Sequence, residues 1–180
     1  AACAIMVAEM IRKGLAELGL DAFLKKSGME NAFDLAPLHL ISFEEQAKKI
    51  TSVFLTTAYQ STSNSGEETF TSAKSLADSI GATFYNWSVN DEIESYKSTI
   101  ESVIGRELSW ETDDLALQNI QARGRAPIIW LLTNIKQALL ITTSNRSEGD
   151  VGYATMDGDT AGGIAPIAGV DKNFIRNWLR

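Results

Sequence analysis

Apolar residues recur at helical spacing through residues 1–18 (Ile5, Ala8, Ile11, Leu15, Leu18), which predicts an amphipathic helix closed by Gly19. No Ser, Thr, Asp or Asn stands before its first turn as a cap. Residues 20–37 mix Gly28, Asn31 and Pro37 with short helical patches and read as an irregular connector. Residues 50–56 are dense in β-branched and aromatic side chains and read as a strand, which runs into the polar loop 60–68. Phe70, Ala73, Leu76, Ala77 and Ile80 predict a helix over 69–80, stopped by Gly81, and residues 82–89 predict a second strand. Two more helices are expected over 91–104 and 111–125, with Pro127 breaking or kinking the second. Residues 128–136 continue as helix toward a buried strand at 139–142. A last helix begins near Asp171 and runs through Phe174, Ile175, Trp178 and Leu179. Strands that alternate with helices imply an α/β fold, a doubly wound parallel sheet with flanking helices. Such sheets bind ligands beyond the carboxyl ends of their strands, which is where Thr143, Ser144, Asn145 and Glu148 fall.

At 180 residues and 44% hydrophobic content, the chain is long enough for one domain with a core. Its net charge of -7 and scattered basic residues speak against a nucleic-acid or anionic-membrane partner, because tracking phosphates needs clustered Lys and Arg. Cys3 is the single cysteine and His39 the single histidine, so an intramolecular disulfide and a Cys/His zinc site are excluded. A reducing, cytoplasmic setting is expected. The apolar run at 128–132 is far short of the roughly 20 residues that span a bilayer, so a soluble protein is expected. Cys3, His39 and the four tryptophans read as packing residues. A Walker A loop, a dinucleotide glycine fingerprint and a serine–histidine triad are all absent.

Three constellations carry candidate chemistry, each with a structural alternative. Asn145-Arg-Ser-Glu148 has capping-box spacing, and the same residues could instead present helix amides to a phosphate and a Glu148 oxygen to Mg²⁺. Arg123 lies one turn from Asn119 on one helix face, a geometry that grips a ligand by amide and guanidinium together or simply ends a solvated helix. Met156-Asp-Gly-Asp-Thr-Ala-Gly-Gly163 lacks the alternating ligands and closing glutamate of a calcium loop. Its glycines Gly158, Gly162 and Gly163 suit positive φ and close approach to a ligand, or equally a surface turn. Lys172 near a helix start opposes the helix dipole, which favours a ligand-facing role.

Taken together, NIQARGR at 119–125, LLITTSNRSE at 139–148 and VGYATMDGDTAGGIAPI at 151–167 resemble the synthetase domain of NAD synthetases, particularly the glutamine-dependent branch. The diagnostic motifs cover about the last third of the chain, and residues 50–80 match the family's organisation more loosely. The resemblance implies an ATP pyrophosphatase-type fold, akin to adenine nucleotide alpha hydrolases. It also implies use of ATP and Mg²⁺ to adenylylate the nicotinate carboxylate of deamido-NAD, after which ammonia displaces AMP. By motif position it implies that Asn119 and Arg123 contact deamido-NAD with Asp159 on the same substrate side, and that Thr143 binds ATP. Glu148 would ligate Mg²⁺ or lie against the nicotinate end, and Lys172 would meet ATP phosphates. Arg123 and Glu148 are the expected catalytic pair.

Two departures from the family pattern stand out. The family's SGGxDS pyrophosphate loop, with its metal-binding aspartate, should precede the first helix, and the sequence begins at Ala1 where that loop would end. Met156 occupies a position where the ammonia-only branch carries lysine, which favours the glutamine-dependent branch or a divergent substrate grip. Residues 1–180 are therefore expected to be one synthetase-type domain truncated at both ends. The resemblance also implies homo-oligomers, with ammonia drawn from solution or from a glutaminase domain of the same polypeptide. Two alternatives stay open: another ATP pyrophosphatase-type amidotransferase or ligase, and a nucleotide-binding domain without catalysis.

Overall fold

In a computed structural model that describes residues 1–180, the chain divides into two compact units, residues 1–59 with 66–85 and residues 60–65 with 86–180. In the first unit, helix α1 (Ala2–Leu18) turns its Ala8, Ile11 and Leu15 inward, the spacing read from the sequence. Gly19, at φ 78°, ends it and returns its amide to the Leu15 carbonyl at 2.9 Å.

The expected connector is instead two short helices, α2 (Leu20–Lys26) and α3 (Leu35–His39), the second capped by Asp34. Leu20, Phe23, Leu24 and Leu38 from these helices join Ile11, Leu15, Ala47 and Ile50 in one core. Helical patches too short to persist alone are held by that burial, which outweighs the breakers between them.

The expected strand at 50–56 is also corrected. Helix α4 (Phe43–Phe54) runs through most of it, started by a capping box in which Ser42 and Glu45 bond each other's backbone amides. Ala47, Ile50 and Thr51 are buried on one helical face, and the Thr51 hydroxyl donates to the Ala47 carbonyl at 2.7 Å. Cap and core contact together override the β-branched preference of Ile50, Thr51 and Val53.

Strand β1 (Thr56–Ser61) follows, then helix α5 (Glu67–Ile80) and strand β2 (Thr83–Ser88). Thr83 donates to the Leu55 carbonyl and Val89 to the Ser61 carbonyl, both at 3.0 Å. The sequence offset is the same in both bonds, so β1 and β2 pair in parallel across the α5 crossover. Gly81 closes α5 at φ 77°, and a Cβ there would fall 2.6 Å from Lys48 Cβ and 2.7 Å from its Cα, so both conformation and space demand glycine.

The second unit continues with α6 (Asn90–Ile104), α7 (Asp114–Arg123), α8 (Ala126–Ile135), α9 (Arg146–Asp150) and α10 (Lys172–Trp178). Pro127 separates α7 from α8 by sitting in the first turn of α8, where its missing amide costs nothing. Arg106 grips Asp113 with both terminal nitrogens at 2.8 and 2.7 Å, fixing the turn between α6 and α7. Those bonds, with further ones from Thr112 and Ser109, hold the Asp113 carboxyl well below the ordinary carboxylate range. No helix is long and apolar enough to cross a membrane.

The helical assignment of 50–54 is tested by paired truncations. Ile50→Ala, fully buried, should cost about 2–5 kcal/mol in chemical denaturation. Val53→Ala, 47% exposed at the edge of the buried face, should stay within about 0.5 kcal/mol of wild type. Equal costs at the two positions would contradict the helical face.

Candidate functional site

The candidate site lies wholly in the second unit and is built around residues 155–164. Ile141 forms an isolated parallel bridge with Ile164, with Thr142 donating to the Ile164 carbonyl at 2.9 Å and Gly163 to the Leu140 carbonyl at 2.8 Å. The buried strand expected at 139–142 is reduced to this bridge, and Leu139 is exposed. The pairing partner, Gly163 with Ile164, is too short to extend a ladder. Thr142 is buried and its hydroxyl donates to the Asp159 carbonyl at 2.8 Å, while the neighbouring Thr143 faces solvent.

From α7, Asn119 and Arg123 reach the same loop. The Thr155 hydroxyl donates to Asn119 Oδ1 at 3.0 Å, and Arg123 Nε donates to the Met156 carbonyl at 3.0 Å. The helix face expected to grip a ligand thus grips its own chain with part of its polar capacity. The Asp159 carboxylate accepts from the Thr155 amide at 3.3 Å, and Asp157 takes a left-handed φ of 60° that a short polar side chain tolerates.

The loop glycines do not take the positive φ that one reading gave them. Gly158, Gly162 and Gly163 are not among the positive-φ residues. A Cβ on Gly158 would stand 2.9 Å from Ala122 Cβ, and one on Gly162 would stand 2.8 Å from the Thr142 nitrogen. Lack of a side chain lets the loop lie against α7 and against Thr142, an approach between segments of this chain.

At the start of α9 the capping box is present: Asn145 Oδ1 accepts the Glu148 amide at 3.3 Å and Glu148 Oε2 accepts the Asn145 amide at 3.2 Å. The other carboxylate oxygen, Oε1, lies 3.4 Å from Lys172 Nζ, and the Lys172 amide donates to the Ser147 hydroxyl at 3.0 Å. Arg146 ties the two helix starts together by bonding Asp171 at 3.1 Å. Lys172, unfavourable to the dipole of α10, is offset by Glu148. Partial burial pushes the Glu148 carboxyl upward, yet the bonds from Asn145 and the Lys172 ammonium outweigh it and leave its pKa below the ordinary value. No group of three or more His, Cys, Asp or Glu gathers around Glu148 to hold a metal.

The structure therefore brings Asn119, Arg123 and Asp159 to one loop and pairs Glu148 with Lys172. Thr142, Thr155 and Arg125 escaped the sequence reading. Arg125 donates to the Gln121 carbonyl at 2.7 Å and to the Gln60 carbonyl at 3.2 Å, bracing α7 against the end of β1. The hydroxyls bond groups 17 and 36 positions away, a proximity with no local sequence signature.

The family model described as NAD synthase matches residues 45–180. The glutamine-dependent NAD(+) synthetase of Aquifex aeolicus is 38% identical over 68% of this chain and 21% of its own length. A crystal structure of a glutamine-dependent NAD(+) synthetase from Cytophaga hutchinsonii superposes with a TM-score of 0.97 at 82% identity, over 99% of this chain and 31% of that one. A second structure, of the glutamine-dependent NAD+ synthetase from Acinetobacter baumannii in complex with adenosine diphosphate, superposes with a TM-score of 0.61 at 26% identity, over 67% of this chain and 22% of that one. The fold is accordingly α/β of the ATP pyrophosphatase type, with a parallel sheet and flanking helices, and the chain spans less than a third of the length of each of these relatives.

The lowered Glu148 pKa sets a pH dependence. A carboxyl depressed in the folded state contributes stability above the ordinary glutamate value of about 4.3, and that contribution is lost as the pH falls below it. Thermal unfolding of wild type and Glu148→Gln should therefore differ most near neutral pH and converge as the pH falls below the ordinary glutamate range. A gap that widens on acidification would contradict the capping and ion-pair assignment.

Proposed function

The chain belongs to the NAD synthase family, and on that premise we propose that it carries part of the catalytic site of an ATP-dependent carbon–nitrogen ligase that amidates deamido-NAD to NAD. In the proposed reaction the nicotinate carboxylate attacks the α-phosphorus of ATP and expels pyrophosphate. Ammonia then displaces AMP from the adenylylated carboxyl. The observation that carries the reading is the convergence, in one hydrogen-bonded web, of the three motifs at 119–125, 139–148 and 151–167.

Each residue has a role that its surroundings permit. Asn119 and Arg123 orient deamido-NAD, with Asp159 keeping the loop beside them in shape. Holding the carboxylate in line converts a bimolecular attack into an effectively unimolecular one. Thr143, exposed beside the buried Thr142, contacts ATP. Lys172 directs its ammonium at the phosphates, where charge accumulates as pyrophosphate leaves.

Glu148 has the donor chemistry for one Mg²⁺ position, because this ion is commonly held by one or two carboxylates with phosphate oxygens and water completing its shell. Bound there, Mg²⁺ would neutralise phosphate charge. The alternative role of Glu148, against the nicotinate end of the substrate, uses the same carboxylate. We place residues 1–180 within a synthetase domain of a cytoplasmic, homo-oligomeric enzyme that takes ammonia from solution or from a glutaminase domain of the same polypeptide. The names of the relatives support glutamine as the source, and a buried, single cysteine fits a reducing compartment.

The full-length protein supplied with deamido-NAD, ATP and Mg²⁺, with ammonium or glutamine in parallel, should form NAD, AMP and pyrophosphate in equal amounts. Untouched ATP, or ADP with phosphate, would overturn the reaction. Arg123→Ala and Glu148→Gln should each lower turnover by the ~2.7–4 kcal/mol typical of losing one preorganised electrostatic partner. Unchanged turnover in both variants would remove these residues from the site.

A further inference from the structure

Asn119 and Arg123 are not independent side chains, because consecutive residues of one loop take a defined part of each. Asn119 receives the Thr155 hydroxyl on Oδ1 at 3.0 Å, which engages one lone pair of the amide oxygen and leaves Nδ2, a pair of donors, unspent in that contact. Arg123 gives Nε to the Met156 carbonyl at 3.0 Å, which leaves its two terminal nitrogens as a fork. The loop itself is braced from behind. Thr155 donates its amide to Asp159, Asp159 accepts the Thr142 hydroxyl on its carbonyl, and Gly158 lies against Ala122.

We propose that Thr155 is a positioning residue: its hydroxyl fixes the orientation of the Asn119 amide so that Asn119 and Arg123 together present only N–H donors, a matched set for an oxyanion of deamido-NAD. The inference rests on the deamido-NAD reading of this site. An asparagine amide free to turn over presents its carbonyl oxygen to the ligand for part of the time, and an oxygen facing an oxyanion repels it. With the Thr155 hydroxyl donating to Oδ1, the amide oxygen is held on Thr155 and Nδ2 is directed away from it. The ligand group is a carboxylate or a phosphate, since both accept from a guanidinium fork and an adjacent amide. Thr155 touches no substrate in this assignment and acts only through Asn119.

The test uses the full-length enzyme, whose wild-type activity with deamido-NAD first establishes the reading on which the inference depends. Thr155→Val removes the donor at nearly constant shape and should raise KM for deamido-NAD about three- to tenfold, the range expected for one net hydrogen bond, with KM for ATP little changed. Thr155→Ser restores the hydroxyl and should recover most of that loss. In an Asn119→Ala background, Thr155→Val should have no further effect on KM for deamido-NAD, because its partner is gone. Asn119→Asp supplies a check that does not depend on the folding of the valine variant. It still accepts the Thr155 hydroxyl but offers no N–H, so it should weaken deamido-NAD as much as Asn119→Ala does.

Wild-type activity together with an unchanged KM in Thr155→Val would overturn the proposal, as would equal losses for deamido-NAD and ATP. So would additive losses in the double variant, or full affinity in Asn119→Asp. Inhibition by NAD, which lacks the nicotinate carboxylate, separates the two oxyanions. Inhibition weakened in Thr155→Val assigns the donors to the pyrophosphate, and inhibition retained while deamido-NAD is lost assigns them to the carboxylate.

Discussion

The site depends on a close passage of backbone. Residues 158–163 lie so near α7 on one side and Thr142 on the other that a methyl group at Gly158 or Gly162 would collide with a neighbour at less than 3 Å. Those two absences of a side chain allow Thr155 and Met156 to reach Asn119 and Arg123, and allow Asp159 to receive the Thr142 hydroxyl. The loop is held at both edges by close contact, and the side chains of α7 bond to it in that position. A glycine-rich segment thus serves here as a packing surface, with its conformational freedom secondary.

A second constraint is electrostatic. Glu148 answers two demands with one carboxylate: it completes the α9 cap by accepting the amide of Asn145, and it pairs with the Lys172 ammonium. Capping and ion pairing therefore coexist in the same group. Lys172, set against the α10 dipole, is held there by the glutamate and by its own amide on Ser147.

Where residues 20–54 misled the sequence reading, the cause was tertiary burial. Residues 50–54 carry a strand composition, yet the Ser42 and Glu45 cap and the inward Ala47, Ile50 and Thr51 make them helix. Residues 20–39 contain breakers, yet four of their side chains complete a core that starts in α1. The apolar run before Thr143 looked like an interior strand, and its pairing proved to be one bridge with Leu139 left exposed. In each case a short window has nearly balanced local preferences, so contacts from distant residues decide the outcome.

What the sequence determined by itself was everything that periodicity, capping chemistry and motif order can express. It set the helical face of α1, the α5 crossover ended by Gly81, the cap at Asn145 and Glu148, the last helix beginning at Asp171, and the family's motifs in their order. These are properties of neighbours within a few positions, whose geometry the backbone fixes. Only the tertiary structure decided that Asn119 meets Thr155, that Arg123 meets the Met156 carbonyl, that Glu148 meets Lys172 and that Thr142 meets Asp159. Such pairings join residues separated by many positions, and the chain between them can take many paths until packing selects one.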